Sequence, residues 1–282
     1  MEVILDKDIL GLSCVENHVL SFIKPRCERF GLIYFDCFVS SHDVFEACKD
    51  NSFEYYNGID KIQDVLKHNN LLDIEMYKAD FIAFLNHLHK EQNKNTQVLM
   101  QVDSATAQQK FFARGLRNDH YISVQYGEGD YIITNDIPHK RLNVSAKELE
   151  DLFVSYYLII KYKEYYYRKE FDFINDSKKT NLCDLKYTIE PDVVASDGFI
   201  NTFINMLVII RVLRQRLSVF LNSIGTNVDI HGFIANYTKL LTQAEYMRIR
   251  KICDMESYQM MLNNFNQLEN ELFEVISNVY GG

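Results

Sequence analysis

The sequence of 282 residues contains no tryptophan, only three prolines and eleven glycines. So few prolines and glycines exclude collagen-like and low-complexity chains, and a hydrophobic content of 47% excludes a disordered one. Lys and Arg number 30 against 39 Asp and Glu, which gives a formal charge of −9. Because a strongly basic surface is absent, we do not expect nucleic acid as a partner.

Signals for secretion or membrane insertion are also absent. Residues 1–8 carry acidic side chains, whereas a signal peptide begins with a basic region followed by an apolar run. The most apolar aliphatic stretch, residues 206–210, is interrupted by Arg211 and is far shorter than the ~20 residues that span a bilayer. We therefore predict a cytoplasmic protein that has no membrane partner.

The cysteines lack the spacing of a metal site or of a disulfide framework. No CxxC pair occurs, and a chain of this length without a secretion signal is not expected to depend on disulfides. Each cysteine is therefore predicted to be a thiol that is either a small buried apolar group or a reactive one. The six are Cys14, Cys27, Cys37, Cys48, Cys183 and Cys253.

The two halves of the chain have different patterns. In the first half, apolar or aromatic runs at 31–39 and 97–103 predict strands, and the runs at 120–126 and 130–136 around a glycine-containing loop predict a β-hairpin. In the second half, a capping box at Ser145 predicts a long helix through Tyr167. Further helices are predicted at 200–223, 230–241 and 243–279. We therefore expect an α+β domain with an antiparallel sheet at residues 1–145, followed by an all-helical domain at residues 146–282.

Cys14 is the first candidate for chemistry. Ser13 followed three residues later by Glu16 is a capping box, which places Cys14 in the first turn of a helix. The unpaired N–H groups and the dipole of that turn favour a thiolate and predict a lowered pKa for the thiol. A half-buried cysteine without a function is the alternative. His18, one turn later, is a conceivable rival base or metal ligand, but one Cys–His pair lacks the four ligands that zinc prefers.

The predicted hairpin supplies the second candidate. With a three-residue loop at 127–129, His120 lies directly opposite Asp136, at a Cβ separation of ~4.5–5.5 Å. A carboxylate at that distance can orient an imidazole that acts as a base. A shift of one residue in register would offer Asn135 instead, and an exposed polar contact is the alternative without a function.

A cysteine that opens a helix, followed by a histidine and then an acid, is the chain order of papain-like cysteine enzymes. The segments 14–20, 98–103, 120–127 and 132–136 resemble the N-terminal domain of the butirosin biosynthesis protein H family. That family is related to the double-glycine leader peptidases and has a papain-like fold. The resemblance implies Cys14 as the nucleophile, His120 as the base and Asp136 as the orienting residue.

The resemblance also implies an activity. Members of the family transfer an acyl group from a thioester on the phosphopantetheine arm of a carrier protein to an amine such as an aminoglycoside, and relatives act in antibiotic and nonribosomal peptide biosynthesis. It implies no cofactor of the enzyme's own, an acyl or peptidyl carrier protein as partner, and a small-molecule acceptor. The N–H of Cys14 is a natural oxyanion donor, and Gln101 and Asn17 are candidates for a side-chain donor.

The sequence is compatible with two other functions and with two interpretations of its basic clusters. A papain-like cysteine peptidase or amidase would use the same triad, and a catalytically silent binding protein is a further alternative. Basic clusters in the second half could attract an acidic carrier protein, or they could pair with acids of this chain. These clusters contain Arg211, Arg214, Arg216, Arg248, Arg250 and Lys251.

Overall fold

The protein is an α+β structure, with a six-stranded antiparallel sheet and with helices in its C-terminal part. The computed structural model describes residues 9–35, 37–49, 62–68, 70–114, 116, 119–127, 129–163, 188–195, 198–226, 228–252 and 254–280. Within these ranges the helices are α1 (Cys14–Ile23), α2 (Ser41–Cys48), α3 (Ile62–His68), α4 (Phe81–Glu91), α5 (Ser104–Phe111), α6 (Ala146–Leu152), α7 (Phe199–Ser223), α8 (His231–Arg250) and α9 (Met255–Tyr280). The strands are β1 (Leu72–Lys78), β2 (Thr96–Val102), β3 (Tyr121–Tyr126), β4 (Tyr131–Asn135), β5 (Lys140–Val144) and β6 (Phe153–Tyr162), and short 3₁₀-helices occur at Lys24–Arg26, Phe30–Tyr34 and Pro191–Ala195.

The strands lie in the order β1-β6-β2-β3-β4-β5, and each neighbouring pair is antiparallel. One face of the sheet is covered by α4, α5 and α6, whose apolar side chains pack against alternate strand residues. Helix α1 contacts β3 and β2. The buried residues that the covering helices contribute are Phe84 and Leu88, Ala107 and Phe111, and Leu149 and Leu152.

The described residues divide into two compact units. The first lies within residues 1–30 and 62–168, and the second lies within residues 31–61 and 169–282. Unit 1 contains the whole sheet and α1, whereas unit 2 contains α2 and the three long helices. Residues 146–162, which the sequence assigned to the helical domain, belong to unit 1.

Three local predictions are wrong. The helix that begins at Ser145 ends at Leu152, and residues 153–162 form β6. This segment is rich in aromatic and β-branched side chains, and it pairs with both β1 and β2. Residues 30–34 form a 3₁₀-helix instead of a strand, and α8 continues to Arg250 without the predicted break after residue 241. Tyr156, Tyr157 and Tyr162 therefore lie on a strand, and Tyr165, Tyr166 and Tyr167 lie outside the described residues.

A buried polar network links the helices of unit 2. The Arg214 guanidinium on α7 donates to the Glu269 carboxylate on α9 at 3.1 and 2.6 Å, and both side chains are completely buried. Glu269 also accepts from Tyr237 on α8 and from Ser41 on α2. The network therefore joins α2, α7, α8 and α9, and it pairs a charge that would otherwise be costly to bury.

Of the two predicted basic clusters, the one on α7 is largely buried, whereas Arg248, Arg250 and Lys251 lie at the surface. Arg214 is buried in its ion pair, and Arg216 is buried with its guanidinium 5.5 Å from the ring centre of Tyr34. Arg248 pairs with Glu245 at 2.6 Å. Among the helices that the structure describes, none is long and apolar enough to cross a membrane.

Candidate active site

Cys14 begins α1, as the capping pattern predicts. Ser13 is the N-cap, and its hydroxyl accepts the N–H of Glu16 at 3.2 Å. The Glu16 carboxylate bonds differently from that of a capping box, because it accepts the N–H of Leu12 at 2.7 Å and the N–H of Ile62 at 2.8 Å. The carboxylate thus fixes the start of α1 to the start of α3. These bonds hold the first turn, and with it Cys14, in a defined position.

The prediction of a lowered pKa for the Cys14 thiol is wrong. Burial raises its pKa to about 12, and the negative charge of Asp136 acts in the same direction. The backbone N–H groups of Tyr121 and Val15 act in the opposite direction and lower the pKa. The helix terminus therefore does favour the thiolate, but the loss of hydration outweighs it. The resting group is a neutral thiol beside the start of β3.

His120 is buried and immediately precedes β3. The hairpin is confirmed, but its predicted register is wrong by one residue, because Tyr126 pairs with Tyr131 and not with Asp130. The loop therefore has four residues, 127–130, closed by a bond from the N–H of Gly127 to the carbonyl of Asp130 at 2.8 Å. His120 consequently does not lie directly opposite Asp136.

The nearest partner of His120 is Asn135, the last residue of β4. The His120 Nε2 lies 2.6 Å from the Asn135 Oδ1, and the Asn135 Nδ2 donates to the carbonyl of Pro138 at 2.9 Å. Because a carbonyl only accepts, the bond to Pro138 fixes which end of the amide is Oδ1. The amide oxygen also only accepts, so Nε2 carries the proton of the neutral imidazole. Nδ1 is then the basic nitrogen of His120.

Asp136 lies beside this pair rather than within it. Its Oδ1 is 3.7 Å from the His120 Nε2, which is too long for a hydrogen bond. Its Oδ2 accepts from the Asn17 Nδ2 at 3.0 Å, so α1 holds the carboxylate through a residue one turn after Cys14. The side-chain amide of Asn17 is therefore engaged with Asp136. Gln101, the other suggested oxyanion donor, pairs with Tyr121 across β2 and β3.

His18 is a member of the same cluster. It is completely buried, and neither of its ring nitrogens has a hydrogen bond of ordinary geometry within the described ranges. Burial lowers its pKa to about 4, although the charge of Asp136 acts to raise it. His18 is thus neutral at physiological pH. In the described part of the chain, no three His, Cys, Asp or Glu side chains are arranged to hold a metal ion.

The structure thus brings Cys14, His120 and Asp136 into one region of unit 1, and it adds two interactions that the sequence did not reveal. The Asn17 side chain on α1 donates to Asp136, and the charge of Asp136 acts on the buried His18. Both depend on the packing of α1 against the sheet, which a local sequence pattern does not encode. No protein-family model matches the sequence, and no curated protein matches it significantly. The functional argument consequently depends on the chemistry of this site.

Proposed function

We propose that the protein is a papain-like cysteine acyltransferase, which takes an acyl or peptidyl group from a carrier-bound thioester and passes it to a small-molecule acceptor. The observation that carries this proposal is that α1, which begins at Cys14, and the oriented imidazole of His120 meet at Asp136. The Asn17 Nδ2 on α1 donates to the Asp136 carboxylate at 3.0 Å, and this carboxylate lies 3.7 Å from the His120 Nε2, which is bonded to the Asn135 amide. A nucleophile, a base and an orienting group thus come from α1, the start of β3 and the end of β4.

The first half of the reaction forms an acyl-enzyme. Because the resting thiol is neutral, the His120 Nδ1 accepts the Cys14 proton as the sulfur bonds to the thioester carbonyl carbon. The bond between that carbon and the pantetheine sulfur then breaks, and the imidazolium returns the proton to the leaving thiolate. One thioester replaces another, so the step requires little net free energy.

The second half releases the acyl group. The acceptor amine attacks the carbonyl carbon of acyl-Cys14, and His120 takes the proton that the amine loses. The carbon–sulfur bond breaks, the proton passes to the Cys14 sulfur, and an amide leaves. Water or a hydroxyl in place of the amine would give an acid or an ester by the same steps.

An oxyanion donor is available at the start of α1. The N–H of Glu16 bonds to the Ser13 hydroxyl, and the N–H of Asn17 bonds to the Ser13 carbonyl. Among the described residues, no acceptor is bonded to the N–H of Cys14 itself. This N–H lies on the residue whose sulfur attacks, and it can stabilise the negative charge that develops on the carbonyl oxygen.

The experiment is incubation with a simple acyl-pantetheine thioester, followed by intact-mass analysis. We expect one acyl adduct on the wild type and on Cys27→Ala, a matched variant of another partly exposed cysteine in unit 1, and none on Cys14→Ala. Addition of an amine should remove the adduct and yield the amide. A wild type without an adduct, or an adduct that persists in Cys14→Ala, contradicts the proposal.

A cysteine peptidase or amidase would use the same groups on an amide substrate. Cleavage of peptides by the wild type, without acylation by thioesters and with loss in Cys14→Ala, would assign that activity instead. If the protein catalyses neither reaction, the result would favour the alternative of a binding protein without catalytic activity.

A further inference from the structure

Two loops of unit 1 that adjoin the candidate site expose apolar side chains. Phe112 follows the last residue of α5 and is 84% exposed, and Ile137 follows Asp136 and is 69% exposed. The backbone of Phe112 is left-handed, with φ of 52°, a conformation in which an aromatic residue is strained and glycine is preferred. The preceding side chain, Phe111, is completely buried in the core. Only Phe112 of this pair is therefore presented to solvent.

Basic side chains lie beside these apolar ones. The Lys140 Nζ, at the start of β5, lies 4.4 Å from the ring centre of Phe112, so the loop after α5 contacts the start of β5. Arg114 and His139 are exposed. Among the described residues, no carboxylate is paired with Arg114 or Lys140. We refer to Phe112, Arg114, Ile137, His139 and Lys140 as the Phe112–Lys140 surface.

This surface lies next to the proposed catalytic groups. Lys140 is the direct register partner of Asn135 across β4 and β5, and Asn135 is the residue that binds His120. Directly paired residues of antiparallel strands have Cα atoms ~4.5–5.5 Å apart. Ile137 and His139 lie in the turn between Asp136 and Lys140. A protein bound here would therefore present a thioester close to Cys14.

We propose that the Phe112–Lys140 surface docks the acidic carrier protein that delivers the thioester, and this inference depends on the proposed function. A chain with a formal charge of −9 repels an acidic partner over most of its surface. Docking consequently requires a locally positive area, and Arg114 and Lys140 provide one with charges that no acid of the described chain neutralises. Phe112 and Ile137 supply apolar contacts at its centre.

The basic residues of unit 2 fit this role less well. Arg214 and Arg216 are buried, and Arg248 is paired with Glu245. Arg250 lies over the exposed ring of Tyr246, with 5.6 Å between the guanidinium carbon and the ring centre. Arg250 and Tyr246 thus form a similar pair of basic and aromatic residues in unit 2, and Arg250 serves as the matched control.

The test compares two donors with the same acyl group, one on a purified acidic acyl carrier protein and one on free pantetheine. Arg114→Glu and Lys140→Glu should each lower kcat/KM for the carrier-bound donor by ~10-fold or more, because like charges would then face each other. With free pantetheine the rate should stay unchanged, and Arg250→Glu should change neither rate. Equal effects on both donors, or an equal effect of Arg250→Glu, would overturn the inference.

Direct binding separates this inference from the proposed function. Fluorescence anisotropy of a labelled acidic carrier protein should report binding to the wild type, weaker binding with added salt, and loss of binding in Arg114→Glu and in Phe112→Ser. Binding without acyl transfer would refute the proposed function and leave the docking surface standing. Acyl transfer from free pantetheine, with carrier binding that is absent or unaffected by both variants, would refute the docking surface alone.

Discussion

The buried network of unit 2 gives a prediction that is independent of the proposed activity. Glu269→Gln keeps the shape of the side chain but removes the charge that neutralises Arg214. The guanidinium would still contact the carbonyl of Val39 at 3.2 Å and the hydroxyl of Ser41 at 2.9 Å, but it would lose the negative charge of Glu269. Removing one partner of a buried ion pair costs ~3–5 kcal/mol, because the other charge stays buried and uncompensated.

This magnitude is large relative to the stability of a domain, which is ~5–15 kcal/mol. The matched control is Glu245→Gln, which breaks the Arg248–Glu245 pair on α8. Both side chains of that pair are partly exposed, at 48% and 36%, so its loss should cost less than ~1 kcal/mol. The two Glu→Gln changes differ in burial and not in chemistry.

Urea unfolding followed by far-ultraviolet circular dichroism measures both free energies, and tyrosine fluorescence provides a second probe because the chain lacks tryptophan. Hydrogen exchange of α7 and α9 would locate the loss in unit 2. Replacing both partners, as Arg214→Met with Glu269→Met, should cost less than the two single changes added together. If Glu269→Gln destabilises the protein no more than Glu245→Gln does, the buried ion pair does not stabilise unit 2 as we expect.

Two further predictions concern the candidate site. Asn135→Ala removes the acceptor of the His120 Nε2–H, at a cost of ~1–3 kcal/mol. Acylation of Cys14 should therefore be roughly 5- to 150-fold slower. The control is Asn143→Ala, an exposed position on β5, and an equal rate in the two variants would contradict this prediction. For His18, whose pKa falls from 6.5 to about 4 on folding, the unfolded chain binds a proton that the folded chain does not. The free energy of unfolding should therefore fall by up to ~3 kcal/mol as the pH drops through this interval. Urea unfolding at several pH values should show that the free energy of unfolding falls less in His18→Phe than in the wild type. An equal fall in the two proteins would mean that other groups cause the pH dependence.

The features of the site that the sequence predicts are local ones. Ser13 and Glu16 lie three residues apart, so the capping pattern locates Cys14 at the start of a helix without knowledge of the fold. The hairpin is equally local, but its register depends on whether Asp130 belongs to the loop. The bond from the N–H of Gly127 to the carbonyl of Asp130 and the φ of 96° at Gly129 decide that question, and neither is visible in the residue types.

The features that the sequence does not predict depend on distant partners. Ser145 does begin a helix, but β6 forms because residues 153–162 pair with β1 and β2, which are far earlier in the chain. Likewise, Arg214 is one of several arginines on α7, and distant residues such as Glu269 and Ser41 make its burial favourable. Local periodicity contains no information on such contacts.

The same distinction explains the state of the thiol. A helix terminus is a local feature and lowers the pKa of Cys14, whereas desolvation results from packing and raises it to about 12. Asp136 raises it further, so a preformed thiolate is disfavoured in the resting site. The proposed attack by Cys14 would therefore need a base, and the His120 Nδ1 is the nitrogen that the Asn135 bond leaves available.

In a Cys-His-Asp triad, one acid both orients the histidine and carries the negative charge. In the proposed site these two properties belong to different residues. Asn135 is neutral and fixes the tautomer of His120 through a bond of 2.6 Å, whereas Asp136 is charged and lies 3.7 Å from the same nitrogen. The negative charge of Asp136 disfavours the thiolate of Cys14. A neutral orienting residue such as Asn135 has no such effect on the thiol. Loss of Asn135 should consequently lower the acylation rate at every pH, whereas loss of the Asp136 charge should mainly shift the pH at which the rate rises.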